Sequence, residues 1–307
     1  MPVIRQLADF PAKLRGGAVA IGNFDGVHAG HRRIVAQLLL RARELRGPAL
    51  VFTFDPHPVR LLRPESCPPP LTWTRRKAQL LAEIGVDRVV AYPTDEALLA
   101  LSAREFFDRI VVDALGARAL VEGPNFYFGH DRAGNVEVLG RFAATAGMTL
   151  DVVQPVAVGG ELVSSSRIRA LVAAGDVALA AELLQRPYRI RGMVTHGAGR
   201  GAKLGFPTAN LEAIDTLLPA DGVYAGRAYF DGDSAAAAIH LGPNPTFGDH
   251  VRKVEIHLIA RSETLYSQPL EVVYARRLRG VQTFASQDEL LAQLEADVAA
   301  ARAAAAP

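Results

Sequence analysis

Two histidines set three residues apart, His28 and His31, stand at the end of the string Gly22-Asn23-Phe24-Asp25-Gly26-Val27-His28-Ala29-Gly30-His31. If this turn is already helical, they share one face. Gly26 and Gly30 leave backbone N–H groups open to approach. Free N–H groups and the positive end of a helix dipole favour a phosphate. A second cluster of the same chemistry follows later. Ser164, Ser165 and Ser166 with Arg167 and Arg169 put hydroxyls and guanidinium groups at one helix start, more than capping needs, and suited to triphosphate oxygens. His57 sits between Pro56 and Pro58, and Asn125, Phe126, Tyr127 and Phe128 offer an amide and three rings that could wall a flat ligand. Farther on, Gly199, Gly201, Lys203 and Gly205 form a cationic glycine-rich loop that could cradle phosphates. Thr208 and Asn210 after it supply hard oxygen ligands of the kind Mg²⁺ takes. Glu255 and His257 share one face of a strand whose other face carries Val254, Ile256 and Leu258. A wet outer face would explain that carboxylate. So would a role as a general base toward a hydroxyl.

The elements that position these residues can be read from hydrophobic period and breakers. Ala18–Ile21 is a buried strand, and residues 32–46 follow with helical spacing, so the histidine pair lies in a strand-to-helix turn. A strand over 49–54 ends at Asp55-Pro56-His57-Pro58, where the prolines exclude more strand or helix. A helix is expected over 75–84, with Arg75-Arg76-Lys77 as a solvated surface cluster. Expected next are a strand over 87–92, a helix from the Ser102 cap to about Leu115, and a strand over 119–123 that delivers the Asn125 loop. This alternation predicts a Rossmann-like parallel sheet, an α/β fold with ligands at the carboxyl ends of its strands. A serine-capped helix closing at Gly175 and a helix over 177–184 come next. After Arg186-Pro187 short alternating strands take over, at 188–195, 222–230, 236–241, 254–260 and 270–274, then one helix over 287–303. That pattern is an antiparallel β-barrel or sandwich with a terminal helix. Two domains are expected, 1–185 and 186–307.

Composition narrows the classes. The chain has 307 residues, enough for two domains, and half are hydrophobic. A net charge of +2 gives no reason to expect a nucleic-acid partner. The one cysteine, Cys67, excludes an internal disulfide and fits a reducing compartment. Neither a signal-peptide core nor a bilayer-length apolar run is present, so a cytoplasmic location without membrane contact is expected. The run Gly197–Ala202 fits G-x-G-x-x-[GA], yet Gly205 and Pro207 follow at once, so it opens no dinucleotide-binding helix. Lys203 also stands outside the Walker A spacing. The composition leaves a monomer or weak homo-oligomer as the expected state.

The string from Gly22 to His31 and the Ser164–Arg169 cluster resemble the two signatures of the H-x-G-H nucleotidyltransferases. A class I aminoacyl-tRNA synthetase reading of H-x-G-H fails for want of its lysine-rich second signature. Thr53-Phe54-Asp55-Pro56-His57-Pro58 and Gly123–Gly129 resemble further motifs of one branch, the prokaryotic bifunctional riboflavin kinase/FMN adenylyltransferases (FAD synthetases). Gly199 to Leu211 resembles the riboflavin kinase signature over thirteen positions, and Asn244–Gly248 and Val254–Leu258 follow in the family's order. Ser267 stands where that family usually has glycine, and Leu241–Asn244 also departs. The resemblance implies ATP and riboflavin as substrates, FMN as intermediate, FAD as product and Mg²⁺ as cofactor. It implies Glu255 as kinase base, and His28, His31, Ser165 and Arg169 on the triphosphate, with Gly22 to Gly26 and Gly30 beside them. Pro56, His57, Asn125, Phe126 and Phe128 would meet the flavin. The alternative is a monofunctional nucleotidyltransferase with a non-catalytic flavin-binding or regulatory barrel.

Overall fold

Strand Ala18–Ile21 is buried along its whole length because both of its faces are covered. Val19 and Ile21 join one core with Phe52, Phe107 and Leu120, while Ala18 and Ala20 join another with Val35, Leu38 and Val51. The computed structural model describes residues 3–8, 10–197, 199–261 and 265–304. Contacts divide the chain into two compact units, Met1–Pro68 with Trp73–Ser164, and Pro69–Thr72 with Ser165–Pro307.

In the first unit the strands are β1 (Val3–Ile4), β2 (Ala18–Ile21), β3 (Ala49–Asp55), β4 (Arg88–Pro93), β5 (Ala119–Glu122), β6 (Tyr127–Phe128), β7 (Gly134–Asn135), β8 (Thr149–Val152), β9 (Ala157–Val158) and β10 (Glu161–Leu162). Six form one parallel sheet in the order β1-β4-β3-β2-β5-β8. The chain runs outward from β2 through β3 to β4 and then returns to place β5 on the other side of β2. The switch point between β2 and β5 is therefore where such a sheet opens a crevice for ligand.

Several local expectations need correction. The helix after β2 is Ala29–Leu45, so Gly30 and His31 are already inside it and His28 is its N-cap residue. A one-turn helix, Val59–Leu62, starts directly after Pro58, which is compatible with a proline at a helix's first positions. Helix Thr74–Glu83 does not carry a solvated charge cluster: Lys77 is buried against the sheet, 7% exposed. The helix from Ser102 has its capping box, but after Phe106 it widens into π turns over Phe107–Ala114. The wider turn keeps Phe106, Phe107, Ile110 and Val111 all buried.

In the second unit helices Ser165–Ala174 and Val177–Leu184 precede the barrel, and the latter buries Val177, Ala180, Leu183 and Leu184 beside its strands. The barrel strands are β11 (Tyr188–Thr195), β12 (Ala209–Glu212), β13 (Gly222–Phe230), β14 (Asp233–Asn244), β15 (Asp249–Leu258) and β16 (Pro269–Arg279). They close antiparallel in the order β11-β12-β15-β14-β13-β16, with β16 pairing back to β11. Strand β12 was not anticipated, and β14, β15 and β16 run longer than the sequence pattern suggests. The terminal helix Gln287–Ala304 lies on the outer faces of β13, β14 and β16. The Ala-rich composition of the tail also suggests fraying, and its residues past Ala304 lie outside the described ones.

Candidate active sites

The histidine turn is built from buried, unusual backbone. Phe24 and Val27 adopt φ of 46° and 39°, and Gly26 adopts 84°. A β-branched residue at positive φ is a real outlier, and such strain collects at functional sites. Phe24, Asp25, Val27 and His28 are all buried. The His28 and His31 rings stack at 3.7 Å, and Phe24 packs on His31 at 5.0 Å. The His28 backbone N–H donates to His31 Nδ1 at 3.3 Å. That makes Nδ1 the acceptor, so Nε2 of His31 carries the proton and is a donor in the neutral ring. A side chain at Gly30 would press on the His28 ring at 3.2 Å. The Val163 carbonyl lies 3.7 Å from the same point, so the chain passes the helix start just before Ser164.

Next to this turn a cavity of about 730 Å³ opens at the carboxyl ends of β2, β3 and β5. That volume suits a mid-sized organic ligand. Gly22, Asn23, His57, Asn125, Phe126 and Phe128 all line it, with Phe54, Phe106 and Arg132, which the sequence reading had not assigned. His28, His31 and Pro56 do not line it. Phe126 and Phe128 stack at 5.5 Å. Gly129, at φ of 75°, has no room for a side chain, since a Cβ would stand 2.5 Å from the Ala103 nitrogen. His57 Nδ1 accepts the Val59 N–H at 3.1 Å, and its Nε2 lies 2.8 Å from Asn23 Nδ2.

Beneath the turn, Thr53 Oγ1 donates to the Asn23 carbonyl at 3.1 Å, and Lys77 Nζ reaches Thr53 at 3.4 Å. Burial pushes the Lys77 ammonium below its ordinary pKa, against the pull of Asp25 and Asp55. Of the serine–arginine cluster, Ser164 closes the first unit, and Ser165, Ser166, Arg167 and Arg169 open helix Ser165–Ala174 of the second. Arg169 Nε donates to the Pro69 carbonyl at 2.9 Å. The helix ends at Gly175, φ 84°, as its sequence indicates.

In the second unit a cavity of about 150 Å³ lies over the outer faces of β12, β14 and β15. Gly199, Gly201, Thr208, Asn210 and Glu255 line it; Lys203 and Gly205 do not. The cations that do are Arg200, Lys253 and Arg279. Lys253 Nζ meets Asp249 Oδ2 at 2.5 Å and, with the Val251 N–H, holds the Asp249 carboxyl below its usual range. The glycine-rich loop makes a single helical turn, Arg200–Lys203, too short for a dinucleotide motif; Ala198 lies outside the described residues. Gly197 and Gly201 are close-packed: a Cβ would stand 2.0 Å from Asn210 Nδ2 and 2.4 Å from the Phe206 carbonyl. Asn210 pairs directly with Glu255 across β12 and β15, and His240 pairs with Glu255 from β14 on the other side. Asn244 Nδ2 donates to Glu255 Oε2 at 3.0 Å. His257 Nδ1 donates to the Pro207 carbonyl at 2.8 Å, fixing the start of the Pro207–Asn210 stretch. The cavity also has apolar lining from Val281, Phe284, Leu290 and Leu294. Arg279, which lines it too, forks onto Asp297 of the terminal helix, with contacts of 2.7 and 3.1 Å.

These two cavities can be set beside known proteins. Residues 10–167 match the family model for FAD synthetase, and residues 184–305 that for riboflavin kinase. A "Bifunctional riboflavin kinase/FMN adenylyltransferase" of Pseudomonas fluorescens is 42% identical, covering all of this chain and 99% of the relative. The chain belongs to the bifunctional riboflavin kinase/FMN adenylyltransferase family. An Escherichia coli K12 relative of the same name is 35% identical over 97% of this chain and 95% of its own. A crystal structure titled "Macrolide-efflux Protein", from Streptococcus pneumoniae, superimposes with a TM-score of 0.87 at 29% identity over 98% of both chains. The family match over 184–305 disfavours a non-catalytic barrel. No helix among the described residues is long and apolar enough to cross a membrane.

Residues the sequence reading missed are Lys77, His240, Asn244, Lys253, Arg279 and Asp297. Asn244 alone had a signal, its place in the Asn-Pro-Thr-Phe string. The others depend on which strands become neighbours, which pattern does not reveal.

Proposed function

We propose that the two activities of this family divide at about residue 185. Residues 1–185 join FMN to the adenylyl group of ATP, and residues 186–307 phosphorylate riboflavin. The observation that carries the kinase half is the pairing of Asn210 with Glu255 on neighbouring strands, both lining one cavity with Thr208.

In the kinase step Glu255, aimed by Asn244, takes the proton from the terminal ribityl hydroxyl, whose oxygen attacks the γ-phosphorus of ATP as ADP leaves. The donors at Thr208 and Asn210 are hard oxygens, and the close packing of Gly197 and Gly201 keeps that corner free of side chains, which fits Mg²⁺ held jointly with phosphate. Bound there, Mg²⁺ would neutralise charge on the transferring phosphoryl group. Arg200 and Lys253 add positive charge to the same cavity. In the adenylyl step an FMN phosphate oxygen attacks the α-phosphorus of ATP and pyrophosphate leaves. His31, protonated at Nε2, donates toward the triphosphate with His28 beside it, bordered by Gly22 to Gly26 and Gly30. The motif of Ser165 and Arg169, with Ser164, Ser166 and Arg167, suits triphosphate oxygens by its chemistry. Asn125, Phe126, Phe128 and His57 hold the flavin of FMN in the 730 Å³ cavity. Both steps are direct transfers that rest on positioning and charge stabilisation. The near-neutral charge and single cysteine support a cytoplasmic enzyme, without nucleic-acid partner, working as monomer or weak homo-oligomer.

A chromatographic assay with riboflavin, ATP and Mg²⁺ tests this. Wild type makes FMN and then FAD. Glu255→Gln lowers FMN formation by about 100-fold or more, the range of a lost general base, while FMN supplied directly still becomes FAD. His28→Ala halts at FMN. A Glu255→Gln variant that lost only the second step would refute the division.

A further inference from the structure

His240 carries an unusual combination of facts. It sits on β14 directly opposite Glu255 of β15, and Asn210 of β12 faces Glu255 from the other flank. The three side chains form a row across adjacent strands, and all three line the 150 Å³ cavity. On β14 the alternate residues Ala237, Ile239 and Leu241 fill the barrel interior, so His240 stands on the outer face with Ala238. Its Nε2 is closed to bulk water and has no hydrogen-bond partner among the described residues. Burial depresses the pKa of the ring and so favours its neutral form.

The order of strands under the cavity gives this nitrogen a task. The terminal helix, with Leu290, packs on β13, β14 and β16, while Asn210 of β12 pairs on the other side of Glu255, so a flat ring against the apolar lining lies on the His240 side of Glu255 and the phosphate on the Asn210 side. A substrate that lays its ring against that lining and presents its terminal hydroxyl to Glu255 must pass its polyol chain across His240. Adjacent strands are about 4.8 Å apart, so His240 meets the chain one step before Glu255 does. A hydroxyl can donate to or accept from that nitrogen in either neutral tautomer, so it can satisfy the orphaned atom. Glu255 Oε2 already receives the Asn244 amide, which leaves Oε1 for the reacting hydroxyl.

We propose that His240 Nε2 forms a hydrogen bond with the ribityl 4′-hydroxyl, next to the hydroxyl that is phosphorylated, and so sets the register of the polyol on Glu255. This rests on the kinase reading of the barrel given above. The substrate class it selects is a flavin with a hydroxylated side chain, and a chain without that hydroxyl is discriminated against at this residue.

The test uses the full chain with ATP, Mg²⁺ and two substrates, riboflavin and riboflavin with hydrogen in place of the 4′-hydroxyl. For riboflavin, His240→Leu is expected to lower kcat/KM of phosphorylation by about 10- to 100-fold, the range for an unmet hydrogen bond in a buried site. For the deoxy substrate the same variant changes kcat/KM by less than about 2-fold, because that partnership is already gone. His240→Asn, which restores a hydrogen-bonding group, recovers part of the loss on riboflavin alone. Conversion of FMN to FAD, carried by residues 1–185, stays at the wild-type rate in both variants and reports intact folding. Equal losses on both substrates would overturn the proposal, since His240 would then be acting on Glu255 or on the barrel. No loss on riboflavin would overturn it too. If wild type made no FMN, or Glu255→Gln made it normally, the kinase reading itself would fail, which is a separate result.

Discussion

Glu122 ends β5 at the switch point, fully buried, with Oε1 accepting the Ile21 N–H of neighbouring β2 at 2.8 Å. Burial raises its pKa well above the usual carboxylate range, with that hydrogen bond only partly opposing. The folded protein thus binds this proton more tightly than the unfolded chain does. The stabilising effect is fully present below the ordinary pKa, about 4.3, and is lost as pH rises toward the folded value. Glu122→Gln keeps the acceptor oxygen and removes the charge. The variant should melt with wild type near pH 4 and above it at pH 8, by about 2–4 °C if 1 kcal/mol is recovered. Melting curves across that range check it, and parallel curves would mean that Glu122 titrates normally. Nothing in the string Val-Glu-Gly-Pro marks this carboxyl as buried, just as Arg75-Arg76-Lys77 looks like surface although Lys77 is inside. Residue type and motif exposed Glu255, Thr208, Asn210 and the histidine pair. They could not expose groups whose role comes from a neighbouring strand. Ser267 is intermediate: it takes φ of 61°, so the glycine-like backbone persists where the residue type departs.

Among elements, the terminal helix Gln287–Ala304 forms a wall of the kinase cavity, and one ion pair fastens it. Asp297 is 5% exposed, takes the Arg279 fork, and receives Gln293 Nε2 at 2.9 Å. Ala301, Val298 and Ala304 add an apolar contact with Ala225, Ala236, Ala238, Ile259 and Leu278. Asp297→Ala leaves the Arg279 charge unpaired in a largely closed site, a loss of about 3–5 kcal/mol. The barrel unit's melting transition should drop and the KM for riboflavin should rise, while FMN-to-FAD conversion stays unchanged. A melt and a steady-state titration decide it, and an unaltered riboflavin KM would show that the helix does not shape the cavity. Elements with strong period or sharp breakers were legible: β2, β3, β5, the helix after the histidine turn, the barrel strands and this helix. Strand β12 was not, because Ala209–Glu212 follows a Gly- and Pro-rich run and is ordered by pairing with β11 and β15. The π turns of Phe107–Ala114 were hidden for a similar reason, since four apolar side chains on one sheet face outweigh α-helical geometry.

For the whole molecule, the residues lining each cavity come from a single unit: 22–132 in the first and 199–298 in the second. The product of the second is the substrate of the first, so each half-reaction can be removed without touching the other. Glu255→Gln and His28→Ala variants, mixed in one tube with riboflavin, ATP and Mg²⁺, should together form FAD that neither forms alone. FMN made by the His28→Ala chains must cross solution to reach the Glu255→Gln chains. FAD should therefore form after a lag that shortens as the concentration of both variants rises, whereas wild type's lag depends less on concentration if its two sites share an intermediate. Chromatography of timed samples measures both. If each variant performs its own half-reaction on supplied substrate yet the mixture yields no FAD, FMN does not leave the kinase site freely, and the two sites act only as a pair on one chain.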